Sequence, residues 1–220
     1  MKYLYLKLGR GNRQLNYCLQ DENIFGRPIV YIFFGKVTTK QCKALINLSK
    51  NILENKRKND NNIPRYTTLH QQIKPFIEAG ESKDARFISI FENKVYIFEP
   101  DSRVKDMSTK EINDFCHDLK EKKIADKEYI EDIKKDIPKI MYVKNICIFN
   151  KDVPYILRTL NVSQYYNRGT CREIKQNKEN WGIIQAIKKI LNEERDIPEK
   201  LSSQQLFKLL SPHQFETLFF

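Results

Sequence analysis

Residues Arg86–Pro100, RFISIFENKVYIFEP, decide the fold. Two runs rich in β-branched and aromatic residues meet at Glu92-Asn93, a pattern that predicts a hairpin. Apolar side chains occupy both faces of each run, so the hairpin is expected at the centre of a sheet and covered on each side. The chain is therefore read as α+β, with a mixed or antiparallel sheet flanked by helices.

Upstream, YLYLKL (Tyr3–Leu8) alternates as a strand, GRGN follows as a turn, and RQLNYCLQ forms one short helix. PIVYIFFG (Pro28–Gly35) is a second β-rich run. After it, Cys42, Leu45, Ile46, Leu48, Ile52 and Leu53 recur at helical spacing, and NKRKNDNNIP (Asn55–Pro64) reads as a loop. TLHQQIKPFIEAG predicts a further helix that Pro75 must kink or shorten.

Downstream, the charged stretch from Ser108 to Lys135 predicts helix, with Ser108 or Thr109 as cap and Ile112, Phe115, Cys116 and Leu119 on one face. It reads as a helical insertion, about 108–135, on the sheet's edge. KIMYVKNICIF resumes strand character, and NWGIIQAIKKILNEE is an amphipathic helix that Trp181 is expected to anchor in the core. RDIPEKLSSQQ has a linker's composition. LSPHQFETLFF then starts a new amphipathic helix, with Ser211 as cap, Pro212 in its first position and Phe215, Leu218 and Phe219 on one side.

The 220 residues are 40% hydrophobic, enough for a proper core, and carry a net charge of +11. That excess points to an acidic partner such as nucleic acid, the alternative being a merely solvated basic surface. No run approaches the ~18 apolar residues of a membrane span, and the first residues do not form a signal peptide, so a cytoplasmic protein is expected. Five dispersed cysteines and three scattered histidines read as reduced thiols and isolated rings rather than a structural metal site.

Two segments could carry chemistry. LGRGNRQ (Leu8–Gln14) lacks the GK[ST] of a P-loop and the third glycine of a dinucleotide fingerprint. It is either a plain tight turn or a polynucleotide phosphate contact through Arg10, Asn12, Arg13 and exposed amides. QYYNRGTCREI (Gln164–Ile174) sets Tyr165 and Tyr166 beside Arg168 and Arg172, rings for stacking on bases and guanidinium groups for phosphates. The alternative there is a core tyrosine with Arg168 bonding to loop carbonyls. Tyr96 is a further stacking candidate. (D/E)xK matches begin at Glu54, Glu92, Asp118, Glu121, Asp132 and Glu173 among others, as accident allows in a chain rich in Lys and Glu. Only Glu92 lies on a predicted hairpin, at its turn, so no catalytic residue, metal ligand or cofactor is assigned.

QIKPFIEAGESKDARFISIFENKVYIFEP, LNVSQYYNRGTCREI and LSPHQFETLFF, in that order, resemble the N-terminal region and domain junction of Mrr-like restriction endonuclease proteins. In that group a basic N-terminal module precedes a nuclease domain whose first helix begins with an LS...FE pattern, matched by Leu210, Ser211, Phe215 and Glu216. The resemblance implies a DNA-recognition module over 1–195, a linker and short helix over 196–209, and the first helix of a truncated nuclease domain over 210–220. Stretch 108–135 has no counterpart in the group. The acidic residue and (D/E/Q)xK strand of the family are absent from this chain, so Mg2+ is expected only for a downstream nuclease domain, which would also supply any dimer contact. By analogy, such N-terminal modules often adopt PUA-like folds, including EVE and YTH domains, that read a flipped base; a PUA-like barrel is one form the sheet could take. DNA is the expected partner and RNA an open alternative. The rival readings are a small metal-dependent nuclease complete in itself and a protein-interaction module of a defence or repair complex.

Overall fold

The computed structural model describes residues 1–9, 12–149, 157, 170–178 and 180–192. Elements are β1 (Lys2–Leu6), α1 (Leu15–Cys18), β2 (Ile29–Ile32), α2 (Thr39–Ile46), α3 (Lys50–Asn59), α4 (Tyr66–Thr68), α5 (Lys74–Ser82), β3 (Ala85–Phe91) and β4 (Lys94–Pro100). They continue with β5 (Lys105–Asp106), α6 (Thr109–Glu121), α7 (Lys127–Lys135), β6 (Lys139–Phe149), β7 (Cys171–Glu173) and α8 (Trp181–Asn192).

The hairpin forms as its sequence dictates. Glu92 and Asn93 both adopt positive φ, 47° and 60°, the backbone of a two-residue turn whose twist matches its strands. From this centre the sheet grows in the order β2-β6-β4-β3-β1-β7, with β5 on β6, and curls into a half-barrel. Among the described residues every pairing is antiparallel except β1 with β3, where Lys2 faces Ala85 and Tyr5 faces Ile88.

Alternation along the central strands feeds two separate cores. Leu4, Leu6, Phe87, Tyr96 and Phe98 enter a large one with α1, α5, α6 and α7. Tyr3, Tyr5, Ile88, Ile90, Val95 and Ile97 enter a smaller one, closed by Ile183, Ile184, Ile187 and Ile190 of α8. The fold is thus α+β, and the hairpin is covered on both faces.

Local sequence accounts for several helix starts. Ser108 and Glu111 form a reciprocal capping box on α6, and Thr38 and Gln41 do the same on α2. The helix expected from Cys42 to Leu53 is instead two: α2 stops at Ile46, and Ser49 begins α3 with an extended backbone. The run Asn55–Pro64 is correspondingly helical up to Asn59. Pro75 lies in the first turn of α5, which begins at Lys74 directly after a π-helical segment. A π-helical turn over Leu69–Ile73 widens the backbone just before it, where an ordinary turn would drive the ring against the carbonyl of Gln71.

Two further expectations change. The 108–135 helices do sit by the edge strand β2, but Phe115 packs on Tyr17, Phe25 and Tyr31, so the pair belongs to the main core. Trp181 is 48% exposed, and the isoleucines of α8 anchor that helix instead. Cys18, Cys42, Cys116 and Cys171 are buried and Cys147 is exposed. Burial pushes the four buried thiols up, away from the reactive thiolate. No helix among the described residues is long and apolar enough to cross a membrane.

Candidate nucleic-acid interface

The antiparallel register of β1 with β7 joins the two segments that sequence singled out. Leu6 faces Cys171, and immediately beyond them the Lys7 amide donates to the Thr170 carbonyl at 2.7 Å. Lys7, leaving β1, and Thr170, entering β7, are thus joined at one end of the sheet, beside the β3–β4 turn. Thr170 is fixed from the other side as well, its amide donating to Gln72 Oε1 at 2.8 Å. Gln71, its neighbour in the π-helical turn, accepts a hydrogen bond from Arg172 Nη1.

Within this end the candidates divide. Asn12 is 2% exposed, with φ at 62°, and its side chain is fully engaged: Oδ1 accepts from the Leu8 amide at 2.7 Å and Nδ2 donates to the Ile90 carbonyl at 2.9 Å. Its work is to fold the turn onto the hairpin. Tyr96 is 2% exposed and donates to Asn16 Oδ1 at 2.6 Å, so its ring belongs to the main core. Arg13 is exposed, and Arg172 is half-buried on β7. Arg10, Tyr165, Tyr166 and Arg168 lie outside the described residues, as do the linker and terminal helix expected over 196–220.

Sequence reasoning missed a second basic feature. A cavity of about 470 Å³ opens between the end of β2 and the loop after α3, lined by Phe33, Phe34, Arg57, Arg65, Asp136 and Thr170 among others. Gly35 makes the close approach: its φ is +79°, and a Cβ there would stand 2.5 Å from the Asn62 carbonyl oxygen. The opposite wall is equally well built. Asp60 Oδ1 accepts from both the amide and the side chain of Asn62 at 2.9 Å, and Glu54 Oε1 accepts from the Tyr66 amide at 3.1 Å. These bonds hold Arg65 at the start of α4 and Arg57 in the last turn of α3, next to Lys56 and Lys58. Thr170 belongs to both this cavity and the β1–β7 end.

Behind the cavity wall, Lys139 is completely buried, its Nζ donating to the carbonyls of Val37 at 2.6 Å and Ile137 at 3.0 Å. Burial lowers its pKa, partly offset by Cys42, Asp106 and Asp136. Burial and the charge of Lys74 likewise lower that of His70, which lies against the Tyr66 ring at 4.1 Å. The (D/E)xK carboxylates are dispersed: Glu92 is exposed on the hairpin turn, Glu54 holds the Tyr66 amide, and Asp118 accepts from the Tyr17 hydroxyl. Among the described residues, no three His, Cys, Asp or Glu side chains are grouped to hold a metal ion. Comparison with known proteins finds no matching family model, curated protein or solved structure.

Proposed function

We propose that this chain is a DNA-binding module, the recognition part of an Mrr-like restriction endonuclease, and that it does not cut DNA by itself. The observation that carries the reading is the Lys7–Thr170 bond, which joins the chain just before the GRGNR sequence to the start of β7, close to exposed Arg13, in a chain of net charge +11. Arg13 supplies an exposed guanidinium at that end, next to Asn12, which is tied to the Leu8 amide and the Ile90 carbonyl. An exposed cation beside a buried, fully bonded residue suits phosphate contacts, which position a protein on DNA and release counterions.

Gel shifts with duplex DNA between low and physiological salt test this. Affinity should fall steeply with salt, and Arg13→Ala combined with Arg168→Ala should weaken it while the melting temperature holds. Binding indifferent to salt, or nicking of plasmid that requires Mg2+, would overturn it.

A further inference from the structure

The cavity beside Arg57 and Arg65 goes beyond that reading, because its chemistry is specific where the loops offer only charge. Neither guanidinium has a side-chain hydrogen bond or ion pair among the described residues, whereas Arg27 and Arg86 are each matched to a carboxylate. Two cations held by ordered backbone at one opening favour an anion with several oxygens, and the planar fork of arginine suits a phosphate. The inner wall differs. Phe33 and Phe34 are only partly buried, and Phe33 is packed parallel to Tyr31 and steeply against Tyr129, their centroids 6.2 and 5.6 Å away. A supported aromatic surface offers a flat ligand a stacking platform. Asp136 adds a carboxylate, which repels a bare polyanion and accepts from an amino or hydroxyl group. At about 470 Å³ the space falls within the roughly 300–1,000 Å³ of small-molecule sites.

We infer that this cavity binds a nucleoside phosphate, its phosphate at Arg57 and Arg65 and its base toward Phe33 and Phe34. The nucleotide is either free or the unpaired end of a strand, both offering the same chemistry.

The test titrates the full chain, by calorimetry, with the four nucleoside 5′-monophosphates, inorganic phosphate, the four nucleosides and a 5′-phosphorylated single-stranded oligonucleotide. At least one nucleotide should bind tenfold or more tightly than either phosphate or its nucleoside. Arg57→Ala combined with Arg65→Ala should cost at least tenfold. Lys56→Ala with Lys58→Ala removes equal charge from the same region and should cost less than twofold. Should the arginine pair be needed for folding, Arg57→Lys with Arg65→Lys keeps the charge without the fork and should still lose affinity. An oligonucleotide that binds more tightly than every monophosphate identifies a strand end, and the reverse a free nucleotide. Equal losses in the lysine and arginine pairs, phosphate binding as well as any nucleotide, or no binding by nucleotide and oligonucleotide alike would overturn the inference. Duplex gel shifts on the same variants separate the two readings. Duplex binding without nucleotide binding refutes only the cavity, and nucleotide binding without duplex binding refutes only the DNA module.

Discussion

Asn12 shows how a side chain that looks like a contact residue can be structural instead. Its two amide bonds replace backbone pairing for the Leu8 amide and the Ile90 carbonyl, both inside the fold. Asn12→Ala leaves that donor and acceptor unpaired and forces alanine to a φ of 62°, so it should cost about 2–4 kcal/mol. Urea denaturation measures this, and a loss of DNA affinity with unchanged stability would contradict it. Gly35 carries a similar constraint for the cavity wall. Gly35→Ala places a Cβ 2.5 Å from a backbone oxygen that cannot rotate aside, at a φ of +79°. A loss of at least about 2 kcal/mol is expected in thermal unfolding, and a neutral result would show that the two walls separate freely.

Among the elements, α6 depends on a carboxylate. The Glu111 pKa is lowered first by the Ser108 amide and then by Lys105, whose Nζ is 2.9 Å away. A depressed carboxylate favours the fold at pH above its unfolded value, and that contribution is lost as pH falls through the folded value. Glu111→Gln keeps the cap geometry but removes the charge. Its stability deficit should be largest near neutrality and vanish as the solution is acidified through the carboxylate range; a deficit constant with pH would place the effect elsewhere. Such caps were legible because Ser108 and Glu111 are three residues apart, as were the hairpin and the α8 face, which also rest on neighbouring residues. The break between α2 and α3 was not, since the apolar spacing continues across Asn47–Ser49 while the backbone does not. Nor was the cavity, because nothing in IFFG or NKRKNDNNIP says that Gly35 will lie against Asn62. The pairing of β1 with β7, which sets Lys7 against Thr170, was hidden for the same reason: both segments were visible, but their register was not.

At the level of the whole molecule, one sheet serves two cores, and the smaller is closed by a single described helix. Ile187 of α8 is fully buried over a face that includes Tyr5, Ile88 and Ile97. Ile187→Asp would bury an unpaired charge there and should cost more than about 4 kcal/mol, exposing the central strands. Dye binding and scattering should rise together on mild heating; an unchanged melting curve would show that α8 is dispensable. The parallel pairing of β1 with β3 bears on the order of assembly. The β3–β4 hairpin closes through a two-residue turn, whereas β1 must be joined to β3 across the whole intervening chain, and β7 can add only once β1 is in place. The first strand in the sequence should thus be among the last to dock. Conservative core substitutions at Leu4 or Leu6 should mainly speed unfolding, while those at Ile88 or Ile97 should slow refolding.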